Sequence, residues 1–327
     1  MDLKKRFASC VFSVVALLGA VYASTSLADY PDKPIKLIVP FPPGGPTDAM
    51  ARLVGQSWGA TLGQPIIIDN KGGAGGVLAT EAAAGASPDG YTLFFATTGT
   101  TAINPHLYPN MKVDPLKAFD SVGLIATTSN VLVVMPNFPA NNVAELISLA
   151  KAKPGTITYG SAGNGSSNHL SGELLKSMAG IDIVHVPYKG SSAALTDLMG
   201  GQISMMFDTV SIQTQNIQAG KLKALGVTGL SKSNSIPKVP TISESGLPGY
   251  EVSIWFGVLA PKGTPAAILQ KLNSDLNKTL SQPEMLAKLS ALGADPKYGT
   301  AQEFWTQIQK DSAKWSRVVK SSGAKID

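Results

Sequence analysis

The chain has 327 residues, 44% of them apolar and 15% charged, with a net charge of +5 and a single cysteine, Cys10. A chain of this length can bury one large core or two moderate ones, and one cysteine excludes an intrachain disulfide. Lysine and arginine are scattered without a run of five or more, which argues against a nucleic-acid partner.

At the start, Lys4, Lys5 and Arg6 precede an apolar stretch over 7–21, and Ser26-Leu27-Ala28 places small residues where a signal peptidase reads. This predicts a secretory signal peptide at 1–28, cleaved after Ala28, and a mature chain from Asp29. The apolar stretch is shorter than the roughly 20 residues that a membrane span needs. Its loss removes three basic residues, Asp2 and Cys10, so the charge falls from +5 to +3. The mature chain then opens on a strand over 35–40, a helix over 49–58, a buried strand over 66–68, an alanine-rich helix over 76–85 and a strand over 91–96. This βαβαβ order implies a parallel sheet with helical crossovers. Two extended segments, 122–126 and 131–135, carry the chain to a second lobe. There a helix over 142–152 is followed by strands over 156–159, 183–186 and 203–207, with helices over 167–178 and 191–199 between them. A strand over 222–227 and an irregular stretch over 237–241 follow. Residues 250–260 return the chain to the first lobe, and 265–319 is mostly helical. The pattern predicts two α/β lobes joined by crossing strands, divided as 29–126 with 228–327 and as 127–227.

Two segments share one plan of strand, glycine-rich turn and helix start. The first is Phe41-Pro42-Pro43-Gly44-Gly45-Pro46-Thr47-Asp48, and the second is Ser161-Ala162-Gly163-Asn164-Gly165-Ser166-Ser167. Each offers free N–H groups at a helix N-terminus, where the helix dipole favours an anion. Facing each other across a cleft, the two loops would hold a small carboxylate. Gly44, Gly45 and Gly163 allow close approach of the backbone. Ser161, Ser166 and Ser167 offer hydroxyls, as do Thr97, Thr98, Thr100 and Thr101 in the first lobe. Thr47 or Asp48 is a candidate N-cap, and Ser166 or Ser167 is another. Asp208, at a strand end, either accepts from a ligand or caps the next turn. Phe41 and Trp255 are candidate apolar walls. Uncharged donors stabilise a carboxylate without leaving a buried cation unpaired when the cleft is empty.

The motifs also carry a resemblance. Residues 34–45 with Asp48, the stretches Asn70-Lys71-Gly72-Gly73-Ala74-Gly75-Gly76 and Pro88-Asp89-Gly90-Tyr91, the second glycine loop, Val186-Pro187-Tyr188-Lys189-Gly190, 239–246 and 255–261 occur in order over nearly the whole mature chain. In these the chain resembles the periplasmic receptors of the tripartite tricarboxylate transporter family, the Bug receptors. The resemblance implies a type II periplasmic-binding-protein fold, a two-lobed Venus flytrap with mostly parallel sheets and crossing strands at the hinge. It implies a receptor that delivers a carboxylate to a membrane permease. The ligand would sit on Phe41, Gly44, Gly45, Thr47 and Asp48, on Ser161, Gly163, Asn164, Ser166 and Ser167, and beside Thr97, Thr98 and Asp208. No cofactor, metal or catalytic residue is expected, and the receptor is expected to act as a monomer.

Other readings are weaker. The glycines at 72, 73, 75 and 76 miss the dinucleotide spacing, because position 78 is leucine, and they lack a phosphate-loop ending. They read as a β–α turn. The histidines, His106, His169 and His185, have no partner at metal spacing. A secreted hydrolase of a carboxylate ester is the enzymatic alternative, but Gly160-Ser161-Ala162-Gly163 departs from G-x-S-x-G and no Ser–His–acid set is evident. A ligand sensor for a membrane regulator is a further alternative.

Overall fold

The computed structural model describes residues 30–188 and 190–322. The signal segment lies outside the described residues, as does Lys189 of the Val186–Gly190 motif. Among the described residues no helix is long and apolar enough to cross a membrane.

The first half alternates strands and helices as β1 (Ile35–Val39), α1 (Pro46–Leu62), β2 (Ile66–Asn70), α2 (Val77–Ala84) and β3 (Thr92–Thr97). β1 pairs in parallel with both β2 and β3. Its residues divide between two faces: Ile35, Leu37 and Val39 enter one core cluster and Ile38 the other. β3 does the same, with Leu93 and Phe95 on one side and Phe94 and Ala96 on the other. Period-two alternation with both faces apolar is what a sheet covered by helices on both sides requires. β2 departs from the expected buried strand. It is an edge strand, and Ile67 is 51% exposed.

A π-turn (Gly99–Ile103) and two short helices, α3 (Asn104–Leu107) and α4 (Pro115–Ala118), lead into β4 (Phe119–Val134). The two extended segments read from the sequence are one 16-residue strand. The second half follows with α5 (Val143–Ala152), β5 (Thr158–Ser161), α6 (Ser167–Ala179), β6 (Val184–Pro187), α7 (Ser191–Met199), β7 (Met205–Thr209), α8 (Val210–Gln218) and β8 (Lys223–Val227). β9 (Ser253–Pro261) then returns to the first half, and α9 (Ala266–Leu280), α10 (Pro283–Ala291), the two-residue β10 (Asp295–Pro296) and α11 (Ala301–Ser322) complete the fold.

The strand order β2-β1-β3-β9-β4-β7-β5-β6, with β8 and β10 also on β4, makes one mixed sheet running through both halves. β4 is its spine. Phe119 to Ser129 pair antiparallel with β9, whereas Asn130 to Val134 pair with β7 and β8. The partner of β4 therefore changes at Ser129/Asn130. Ile242 N–H donates to Val227 O, Val252 N–H to Thr228 O, and Tyr250 Oη to Ser171 O, all at 2.8–2.9 Å. These bonds tie the segment 228–252 to β8 through the Ile242 N–H and to α6 through the Tyr250 hydroxyl. A buried knot closes the crossing: Asn130 N–H donates to Thr228 Oγ1, and Thr228 Oγ1 donates to Val252 O.

Candidate functional site

A cavity of about 400 Å³ lies between the two halves. The first half lines it with Phe41, Thr47, Gly75, Thr97, Thr98, Ile103, Asn104 and Tyr108. The second half supplies Ala162, Asn164, Gly165, Ser166, Ser167 and Thr209. The crossing segments add Thr128, Val252, Ser253, Ile254 and Phe256, and Trp315 comes from α11. No lysine, arginine, histidine, aspartate or glutamate is among these residues. Positive potential comes instead from the backbone, since α1 begins beside Thr47 and α6 beside Ser166 and Ser167. First-turn N–H groups have no intrahelical acceptor, and the helix dipole adds partial positive charge there.

The first loop is set by prolines and a left-handed glycine. Gly44 has φ of +87°, a region that costs a side chain but not glycine. Gly45 is the N-cap of α1 and Pro46 its first residue. The N-cap is thus neither Thr47 nor Asp48. Asp48, buried in the first turn, reaches back: Oδ2 accepts from Gly44 N–H and from Arg52 Nε, each at 2.9 Å. Its Oδ1 accepts from Asn70 Nδ2 at 2.9 Å, and the same amide donates to Phe41 O at 2.9 Å. The hydrogen bond from Arg52 is the largest of the influences that hold the Asp48 carboxyl down at about 2. Asp48 therefore braces the loop and does not line the cavity, and neither do Gly44 and Gly45. Because the Gly44 amide is already taken, it is not offered to a ligand. Asp48→Ala should lower stability by about 1–3 kcal/mol, since it removes the buried carboxylate that accepts charge-assisted bonds from Gly44, Arg52 and Asn70. Urea unfolding checks this, and a loss of affinity at unchanged stability would instead place Asp48 on the ligand.

The second loop turns on Gly163, whose φ is +125°. Its carbonyl accepts from Ser166 Oγ at 2.7 Å, Ser161 Oγ at 3.2 Å and Ser166 N–H at 3.2 Å. Ser166 is the N-cap of α6, its Oγ accepting from His169 N–H. Ser167 lines the cavity beside it. Ser161 is fully buried and absent from the lining. Its Oγ lies 2.7 Å from His185 Nε2 and accepts from Gly163 N–H at 3.1 Å. The His185 ring stacks on His169 with centroids 4.0 Å apart, and His169 Nε2 lies 4.0 Å from Glu173 Oε1. The fold thus assembles a serine, two histidines and an acid where the sequence shows no such set. Two of its members bond the loop backbone, Ser161 Oγ accepting from Gly163 N–H and His169 Nδ1 from Gly165 N–H, each at 3.1 Å.

Asp208 is also set back from the cavity. It accepts from Gln213 Nε2 at 2.7 Å, Thr209 N–H at 2.9 Å and Asn168 Nδ2 at 3.3 Å, and burial raises its pKa. Through Asn168 it fixes the first turn of α6, while its neighbour Thr209 reaches the lining. Of the threonines, Thr97 and Thr98 line the cavity and Thr100 and Thr101 do not. Thr98 Oγ1 accepts from Trp255 N–H at 2.8 Å, so its own proton is left to donate. Trp255 itself is buried in the core and does not form a wall.

Sequence reasoning brought Phe41, Thr47, Thr97, Thr98, Asn164, Ser166 and Ser167 to this cavity and missed Gly75, Asn104, Tyr108, Thr128, Ser253, Phe256 and Trp315. Gly75 had a signal, the glycine-rich turn. Gly75 has φ of +61°, and a side chain there would strike the Tyr108 hydroxyl at 2.5 Å. Among the described residues no group of three or more His, Cys, Asp or Glu is placed to hold a metal.

Residues 50–324 match a family model described as "Tripartite tricarboxylate transporter family receptor". The chain is 35% identical over 317 residues to Protein BugT of Bordetella pertussis, covering 97% of each chain. Its fold is similar to that of R. palustris Rpa4515 with adipate, with TM-score 0.79 and 37% identity over 91% of this chain and 100% of that one. It is similar also to MatC (Rpa3494) from Rhodopseudomonas palustris with bound malate, with TM-score 0.76 and 34% identity over 89% and 100%.

Proposed function

We propose, from the premise that this chain belongs to the tripartite tricarboxylate transporter receptor family, that it captures a small carboxylate in the inter-lobe cavity and delivers it to a membrane permease. The observation that carries this reading is a closed-in site where two helices begin, with hydroxyls and amides but no charged side chain in the lining. Such a site stabilises one or two carboxylates by charge-assisted hydrogen bonds. Thr47, Thr98, Asn164 and Ser167 are the side chains we assign to the ligand. Gly44, Gly45, Asp48, Ser161, Gly163 and Asp208 act behind them, holding the loops in shape. The family's solved relatives contain adipate and malate, and a ligand of that class suits this cavity. We further assign export with cleavage after Ala28, action in the periplasm as a monomer, and lobes divided at Ser129/Asn130 and at Val252/Ser253.

A thermal-shift screen with adipate, malate and longer acids tests the reading. A ligand at 100 times its Kd should stabilise the protein by about 2.7 kcal/mol, and calorimetry should show one site and return the acid unchanged. The absence of a shift with every small carboxylate would overturn it, and hydrolysis of a carboxylate ester to its acid and alcohol would point to the hydrolase.

A further inference from the structure

The first-half wall of the cavity carries two polar groups that the rest of the protein leaves free. Tyr108 is half-buried and lines the cavity, with its ring packed against the core. Its Oη has no hydrogen-bond partner among the described residues, and burial alone raises its pKa, so the phenol stays a neutral donor. The side-chain polar atoms that are both unpartnered and shut off from solvent are Trp58 Nε1, Asn130 Oδ1 and Trp315 Nε1. Tyr108 Oη is not one of them, so it keeps open surface. That surface lies at Gly75, itself a lining residue: a Cβ on Gly75 would stand 2.5 Å from Oη. With φ of +61° and no side chain, Gly75 leaves the hydroxyl its place over the backbone.

Asn104 sits one helical turn before Tyr108, and the two are joined by the bond from Tyr108 N–H to Asn104 O at 2.9 Å. It also lines the cavity, and its Nδ2 donates to Gly75 O at 2.9 Å. A carbonyl can only accept, so this bond fixes which end of the amide meets Gly75. The oxygen, Oδ1, is the end left over. It accepts from no described residue and is not among the shut-off atoms either. The backbone of Gly75 thus gathers a phenol that donates and accepts and an amide oxygen that only accepts, with no charged side chain in the lining to accompany them.

We infer that Tyr108 Oη and Asn104 Oδ1 form a specificity subsite for a hydroxyl carried by the bound acid, so that the receptor selects hydroxy-acids over unsubstituted acids and over dicarboxylates of the same length. This rests on the receptor reading above. A ligand hydroxyl can donate to Asn104 Oδ1 and accept from Tyr108 Oη at once. A second carboxylate would face the amide oxygen with no cation to offset it, and a methyl group would cover both polar atoms and pair neither. A site built to bond a hydroxyl rejects the analogue that lacks one for that reason.

Calorimetry with two matched sets of probes tests this: butyrate, γ-hydroxybutyrate and succinate, then hexanoate, ω-hydroxyhexanoate and adipate. Within a set only the end group changes, from methyl to hydroxyl to carboxylate. In at least one set the hydroxy-acid should bind the wild type about tenfold more tightly than either companion. Tyr108→Phe should then weaken that hydroxy-acid about tenfold and leave the methyl-ended acid within about twofold. A tyrosine that only packs would lower both affinities alike. Because Tyr108 Oη bonds no described residue, the variant should melt as the wild type does. Gly75→Ala, whose Cβ would take the hydroxyl's place, is the second substitution should Tyr108→Phe fold poorly, and it should give the same selective loss. A hydroxy-acid that binds no more tightly than its companions in both sets overturns the subsite. So does a loss in Tyr108→Phe that falls on both acids equally or on neither. If no probe binds the wild type, the receptor reading fails and this inference with it, an outcome distinct from the other two.

Discussion

Gly163→Val should weaken carboxylate binding at least tenfold, about 1.4 kcal/mol, with unfolding still cooperative. Gly163 has φ of +125°, and a Cβ there would lie 3.2 Å from the Tyr188 carbonyl, a backbone atom that cannot swing aside. The strain of a β-branched residue in this region falls on a carbonyl that ties Ser161 and Ser166 into the loop. The N-cap of α6 and the amides beside it are thereby displaced. Gly44→Val should act in the same direction but differently. It has open space around a Cβ and φ of +87°, so the cost is conformational and no clash adds to it. Calorimetric titration with a verified acid and a circular-dichroism melt check both variants. Unchanged affinity in both would remove the loops from the site.

Acidification from about pH 7 to about pH 4.5 should destabilise the protein and loosen ligand together. Burial holds both His169 and His185 down to about 4, with Lys176 adding for His169 and the neighbouring His169 adding for His185. Glu173 opposes this for His185, and the Tyr159 ring stacks on the same imidazole. Between the ordinary histidine value near 6.5 and the folded value near 4, the unfolded chain binds protons that the folded chain refuses. Stability therefore falls as pH drops through that window, by at most about 1.4 kcal/mol per pH unit for each proton. It levels off below. Asp208 and Asp311 carry the opposite sign, since burial raises their carboxyls and the folded state takes up protons first. They offset part of the loss. Asp48, held at about 2, keeps its contribution until the pH falls below about 4. Protonation also converts His169 Nδ1 from the acceptor of Gly165 N–H into a donor facing a donor. Melting curves and affinities across pH 7 to 4.5 test this, and His169→Gln should flatten both. A flat wild-type profile would show that the histidine pair is not linked to folding.

The strands β1 and β3 of the first half were legible because apolar residues run through both of their faces. β4 was not, since its middle, Thr127-Thr128-Ser129-Asn130, breaks the apolar pattern. Those residues lie where the sheet passes between halves, and Thr128 faces the cavity instead of a core. α8 escaped because its sequence, VSIQTQNIQ, buries only Val210 and Gln213. Within the site, the residue types that suit a carboxylate were legible, but their allocation was not. Whether a hydroxyl or carboxylate is free depends on partners distant in sequence: His185 for Ser161, Asn70 for Asp48 and Asn168 for Asp208. Trp315 lies in an amphipathic terminal helix where nothing local separates a cavity wall from a core position.

β4 belongs to both halves, and β9 runs beside it from Ser129 to Phe119. A joint made this way has no slack. Residues in a loop can swivel about free dihedrals, but a hydrogen-bonded ladder can only be wound or unwound along its length. Rotation of one half against the other must therefore load the ladder, as bending loads a leaf spring. The register shifts at Ser121/Gly123 and Leu124/Ala126 lie on the first-half side of the passage between halves, where a bulge adds local twist. A strand shared in this way ties any turn of one half against the other to a twist of β4 itself.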